Sequence, residues 1–173
     1  MIAVADTGPL LYLSLVGRVE LLPLLFERVL VPEAVVDELT HVSTPELVRR
    51  FVADCPSWLQ VCPASETDSS LRRSGRGERE AIALAVSRGA DVLLIDDLRA
   101  KKFATQTMGI AVSGTIGVFY EAVVNDLVVF DADDFDLAIE DLLATNFHAG
   151  TGLRESLKEL SHRLHERQNQ QRS

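Results

Sequence analysis

Positive charge, cysteine and long apolar runs are all scarce in this chain, and each shortage removes a class of function. Lysine and arginine total 17 against 26 acids, a net charge of −9, which argues against a protein that holds nucleic acid by phosphate neutralisation alone. The two cysteines, Cys55 and Cys62, have neither metal-ligand spacing nor the number for a disulfide framework, and the four scattered histidines add no zinc pattern. A reducing, cytoplasmic setting is the expectation. No apolar stretch approaches the roughly 20 residues that span a bilayer, and Met1-Ile2-Ala3-Val4 has no basic flank before Asp6, Gly8 and Pro9 interrupt it. The protein is therefore expected to be soluble and unexported, with no membrane partner.

What is present is enough apolar material for one well-cored domain: 47% hydrophobic residues in a chain of 173. Three short apolar segments run straight into acids or small polar residues. Ile2-Ala3-Val4-Ala5 meets Asp6-Thr7-Gly8, Val92-Leu93-Leu94-Ile95 meets Asp96-Asp97, and Ile110-Ala111-Val112 meets Ser113-Gly114-Thr115. In a parallel sheet such strand ends share one edge, where open α/β sheets place their ligands, so acids distant in sequence converge. Carboxylates gathered without a cation repel one another, and a hard ion such as Mg²⁺ or Mn²⁺ is the economical remedy. Bound divalent ions would also reverse the local field, and Arg72, Arg73, Arg76, Arg79, Arg99, Lys101 and Lys102 lie near these acids in sequence.

Residues 9–15 and 19–26 read as two apolar helices split near Gly17, followed by a strand at 28–31 and a helix opening at Pro32. Residues 45–53 continue helical, 58–62 form a candidate strand, and the polar stretch 64–77 reads as a loop. A helix at 78–88 stopped by Gly89, a strand at 91–95, a helix at 98–107 and a strand at 110–112 alternate as βαβ units. A helix at 115–124, a short strand at 128–130 and helices at 135–144 and 153–165 follow, with 168–173 as a frayed tail.

Each acid has a plain alternative role. Asp6 can cap the helix near Pro9, although an Asp directly after a buried strand needs a donor or a cation to stay charged. Glu38, between Val35 and Leu39, sits at the border of a core-facing stripe, while Asp37 diverges from it by about 100°. Glu78 and Glu80 open a helix and can simply complement its dipole; they diverge by about 200°, so both reach one metal cluster only from a frayed start or through water. Asp97 can cap the helix that follows, with Lys101 and Lys102 offsetting part of the Asp96-Asp97 charge. Thr115 reads as a helix cap, or alternatively as a phosphate contact. His162 and His165 read as surface residues.

In order, the chain carries Asp6-Thr7-Gly8-Pro9-Leu10, Val31-Pro32-Glu33-Ala34-Val35-Val36-Asp37-Glu38-Leu39, Gly77-Glu78-Arg79-Glu80-Ala81-Ile82, Leu94-Ile95-Asp96-Asp97 and Gly114-Thr115-Ile116-Gly117. With these motifs it resembles a PIN domain ribonuclease, in particular a small prokaryotic PIN group, from residue 2 to about residue 124. The resemblance implies an α/β fold of three layers, α/β/α, with a central, mainly parallel sheet and a helical C-terminal extension. One domain over 1–167 is expected, with its core at 1–130, the extension at 131–167 and a flexible tail at 168–173. It implies Asp6, Glu38, Glu80 and Asp97 as the catalytic, metal-binding acids, with Glu78 and Asp96 as additional ligands for Mg²⁺ or Mn²⁺. Arg76, Arg79, Arg99, Lys102 and Thr115 are the candidate nucleic-acid contacts. It further implies hydrolysis of an RNA substrate, a homodimer, and the toxin half of a toxin-antitoxin pair with an antitoxin protein as partner.

Three other readings compete. Asp6-Thr7-Gly8 matches the aspartic-protease triplet, but those enzymes are mostly β and need a second triplet or a symmetric partner. A phospho-acceptor receiver could use Asp96-Asp97, yet no acceptor Asp at a third strand end and no matching late lysine are present. A non-catalytic PIN-like module that binds RNA or protein is the serious alternative.

Overall fold

The segments around Ala3, Val29 and Leu93 are apolar on both faces, the pattern of strands with helices on either side, and in a computed structural model they form the middle of one sheet. The structure describes residues 1–63, 74–127, 129–148 and 152–172. It divides into two units, 1–115 and 116–173.

The first unit runs β1 (Ile2–Ala5), α1 (Thr7–Leu15), α2 (Leu21–Leu25), β2 (Arg28–Pro32), α3 (Glu33–Thr40), α4 (Glu46–Asp54), β3 (Leu59–Cys62), α5 (Arg76–Arg88), β4 (Val92–Leu94), α6 (Leu98–Met108) and β5 (Val112–Ser113). The expected mainly parallel sheet is parallel throughout, five strands in the order β3-β2-β1-β4-β5. Register places Val4 beside Leu30 and Leu93. These three, with Ile95, share the face packed against Ala81, Ile82, Leu84 and Ala85 of α5 and Ala100 and Ala104 of α6. The two-residue strand period turns Ala3, Ala5, Val29, Val31 and Leu94 to the opposite face, where they are equally buried. Because β1 has β2 on one side and β4 on the other, the order of the chain reverses there, and the crevice beyond the ends of β1 and β4 is the natural ligand position.

Local chemistry sets most element ends. Gly89 (φ 57°) and Gly109 (φ 66°) stop α5 and α6 in the left-handed region that glycine enters without a Cβ clash. Helix α1 starts at Thr7, earlier than expected, since Pro9 falls in the first turn where no amide donor is needed. Helix α5 takes in Arg76 and Gly77, which the sequence assigns to a loop; the rest of that loop, 64–73 with Arg72 and Arg73, lies outside the described residues. Strand β5 is shifted from 110–112 to Val112–Ser113, because the Ile110 amide turns back to Ala104 O at 3.1 Å.

The second unit contains the rest of α7 (Thr115–Val124), then α8 (Ala132–Ala144) and α9 (Leu153–Arg172). Among the described residues no strand forms at 129–130: the Phe130 amide donates to Leu127 O at 3.0 Å and its ring stacks on Phe119 at 5.8 Å. Val128, the third residue of that expected strand, lies outside the described residues. Asp131 caps α8 by accepting from the Asp133 and Asp134 amides, which moves its start ahead of Phe135. Helix α9 continues past His165 to Arg172, tethered where Arg167 donates to Val124 O at 2.7 Å and Gln168 accepts from the Ala132 amide at 3.1 Å. His162 is exposed as expected, whereas His165 is half-buried and pairs with Asp136 at 2.9 Å. No described helix is long and apolar enough to cross a membrane.

Candidate metal centre

The ladder continues one residue beyond β1, where the Asp6 amide donates to Leu94 O at 2.9 Å. That bond sets Asp6 beside Ile95-Asp96-Asp97. Asp6 occupies the N-cap position of α1, yet its side chain makes no capping hydrogen bond. Its Oδ1 is buried and has no hydrogen-bond partner among the described residues, and the whole residue is 6% exposed. An orphaned carboxylate oxygen is expensive, and the pKa shows it: Asp6 is raised from 3.8 to about 7. Burial is the main cause; the Thr7 amide opposes it, and the charges of Glu78, Glu38 and Asp96 push the same way as burial. Acids from three further stretches of chain thus share one field.

Each neighbour is held by its own backbone donors. Glu38 accepts from Thr7 Oγ1 and from the Gly77 amide at 3.0 Å, which ties α3 to the residue next to Asp6 and to the start of α5. Gly77 leaves room for that approach, since a Cβ there would lie 2.8 Å from Glu38 Oε2 and push the carboxylate aside. We expect Gly77→Ala to change folding stability by less than about 1 kcal/mol, because alanine's helix preference offsets the displacement of a flexible carboxylate. The same change is expected to weaken divalent-metal binding severalfold. Parallel thermal denaturation and metal titration check the pair of outcomes, and equal metal affinity in both proteins would remove Glu38 from the site.

Glu78 accepts from the Gly75 amide at 3.3 Å, so its capping role is real. It is also half-buried and raised in pKa, first by burial, then by the Asp97 charge, against the lowering bonds of Gly75 and Ser74, with Glu38 raising it further. Asp97 caps α6, its Oδ1 accepting from the Arg99 and Ala100 amides at 2.8 Å each. Capping and clustering therefore coexist in these two acids.

Asp96, Glu80 and Thr115 are engaged in hydrogen bonds within the chain. Both Asp96 oxygens are taken by Thr115: Oδ1 by its amide at 2.9 Å and Oδ2 by its hydroxyl at 2.6 Å. Gly8 and Gly114 leave room for that carboxylate, a Cβ at either standing 3.2 Å and 2.5 Å from its oxygens. Thr115 is fully buried and holds Asp96. Glu80, 7% exposed, accepts from the Ala34 amide at 3.3 Å and from Arg76 Nε at 2.9 Å, which fastens α5 to α3. Arg76 is committed as well, reaching Asp37 at 3.0 Å, and Arg79 donates to Ser74 O at 2.8 Å. Arg99 and Lys102 are exposed on α6, and Lys101 is half-buried. Tyr12, one turn after Gly8, is raised in pKa by burial and then by the Asp96 charge.

Among the described residues no group of three or more His, Cys, Asp or Glu side chains is arranged to hold a metal ion. The donors present are nevertheless carboxylate oxygens around one orphaned, buried oxygen, a set that suits a hard divalent cation such as Mg²⁺ or Mn²⁺ and not zinc. Sequence reasoning named the acids, and Lys101 as a neighbouring charge, and missed their supports: Thr7 and the glycines at 8, 77 and 114. The signal was visible, since each glycine sits beside an acidic or capping motif.

A family model described as DUF3368: PIN domain matches residues 2–162. No curated protein and no solved structure matches the chain.

Proposed function

This chain belongs to the PIN domain family, whose members are generally nucleases, and from that premise we propose a divalent-metal-dependent endoribonuclease that hydrolyses RNA phosphodiester bonds. The observation that carries the reading is Asp6, a buried carboxylate with one oxygen unpartnered among the described residues and in the field of three other acids, a state that a cation relieves. Asp6, Glu38, Glu78 and Asp97 are the residues we assign to hold Mg²⁺ or Mn²⁺. Such an ion supplies a water activated near neutral pH and neutralises charge on the phosphate.

The chain's own part is orientation. Thr7 and the Gly77 amide aim Glu38, the α6 cap fixes Asp97 through one oxygen, and the Gly75 amide steadies Glu78. With its pKa raised to about 7, Asp6 gives up its proton near neutral pH, where a cation can take that proton's place. Glu80 and Asp96, also implied as ligands by the family resemblance, are hydrogen-bonded to Arg76 and Thr115.

Incubation with single-stranded RNA, structured RNA and DNA of matched sequence, in Mg²⁺, Mn²⁺ or EDTA, tests the proposal. The expected result is RNA cleavage that EDTA stops and Mn²⁺ restores. RNA bound but uncut in every metal would establish the non-catalytic binding module instead. The same reading includes a cytoplasmic toxin restrained by an antitoxin, and a homodimer. An inhibitor that inserts an arginine among these acids would relieve Asp6 as a metal does. Co-purification with the partner and light scattering of the isolated chain test those two parts.

A further inference from the structure

A net-negative protein that holds an anionic polymer is helped by a fixed cation beside its acids, and two arginines near them in sequence are already engaged. Arg76 bridges Asp37 and Glu80, and Arg79 is bound to the Ser74 carbonyl. On α6, Ala100 and Ala104 face the core. Successive helical residues turn by about 100°, so Arg99 and Lys101 leave that core line on opposite sides and Lys102 points away from it. The Lys101 side is the one next to the site: a Cβ on Gly114 would lie 2.7 Å from Lys101 Nζ and 2.5 Å from Asp96 Oδ1.

We propose that Lys101, projecting across Gly114 at the corner between β5 and α7, binds a backbone phosphate of the RNA substrate. The inference rests on the nuclease reading and deepens it. Both Asp96 oxygens accept from Thr115, and the Lys101 ammonium lies on the same side of Gly114 with its own donors uncommitted among the described residues. An ammonium carries three N–H donors on a strongly hydrated point charge, which suits a phosphate oxygen. The absence of a side chain at Gly114 leaves the path open, and the half-buried stem of Lys101 narrows the directions available to it.

The test is the salt dependence of binding to a labelled single-stranded RNA in Ca²⁺, with the full chain as wild type, Lys101→Gln, Lys101→Arg and Arg88→Gln. Arg88 serves as control because it ends α5, about 18 Å along the helix from its start. Lys101→Gln is expected to weaken binding roughly three- to tenfold and to reduce the slope of log affinity against log salt by about 0.7, the value for one phosphate contact on a single strand. Lys101→Arg is expected to keep the wild-type slope, and Arg88→Gln to match wild type. An unchanged slope in Lys101→Gln would overturn the proposal, and a lower thermal stability beside it would leave Lys101 a purely structural role. Wild-type RNA that is bound but never cut in Mg²⁺ or Mn²⁺ counts against the nuclease reading alone, since the slope comparison still stands.

Discussion

Asparagine in place of Asp6 is expected to abolish metal-dependent cleavage and, in the same protein, to stabilise the metal-free fold above neutral pH. Ordinary active-site substitutions do one or the other. Here both follow from one fact, that the Asp6 carboxylate is buried with an unpartnered oxygen and a pKa raised to about 7, by burial first and by Glu78, Glu38 and Asp96 after the opposing Thr7 amide. An amide of the same shape removes the charge that repels those acids. The shift corresponds to a penalty on the order of 4 kcal/mol for the ionised form; unmet hydrogen bonds of the new amide offset part of it, leaving a gain of about 1 to 3 kcal/mol. Activity should fall by more than the ten- to hundredfold typical of losing an outer support of a metal site. Denaturant unfolding at alkaline pH in EDTA, set beside the cleavage assay, reads both numbers. Retained cleavage in Mn²⁺, or a less stable metal-free variant, would take Asp6 out of the centre.

The metal-free protein should lose stability as pH rises from about 4 to about 7, the reverse of usual carboxylate behaviour. The sign follows from linkage. Asp6 has its folded pKa above the ordinary value of 3.8, so between 3.8 and about 7 the folded state holds a proton that the unfolded chain has released, and stability falls with pH across that window. The penalty is fully present above pH 7 and absent below the unfolded pKa. Glu78, also raised, adds in the same direction. With saturating Mg²⁺ or Mn²⁺ the slope should invert, because the ion binds the deprotonated acids and its affinity climbs with pH. The difference between wild type and Asp6→Asn isolates the contribution from all other titrations. If that difference is flat with pH in EDTA, the buried carboxylate is charged at no cost and the electrostatic basis of the centre is wrong.

Much of this arrangement was legible beforehand, and for definite reasons. Strands β1 and β4 read as buried because their residues are apolar without alternation, and the helix stops at Gly89 and Gly109 follow from glycine's freedom at positive φ. The alternation of strand and helix predicted a parallel sheet, and a parallel sheet places Asp6 and Asp97 at one edge whatever the rest of the chain does. The strand expected at 128–130 failed because its apolar residues serve packing: Phe130 stacks on Phe119, and an apolar run of three cannot distinguish that use from a strand.

The amino-acid sequence by itself determined which residue types are available at the sheet edge, the hard-oxygen chemistry they favour, and the family to which the chain belongs. Only the tertiary structure decided what each of those acids touches. Whether a carboxylate meets an amide, an arginine or nothing depends on which distant backbone arrives beside it. Glu80 therefore became a strut between α3 and α5, Asp96 a clamp on Thr115, and Asp6 a buried carboxylate with one oxygen unpartnered among the described residues. No local pattern encodes that difference, because it is set by long-range register and by three glycines that let side chains lie against foreign backbone.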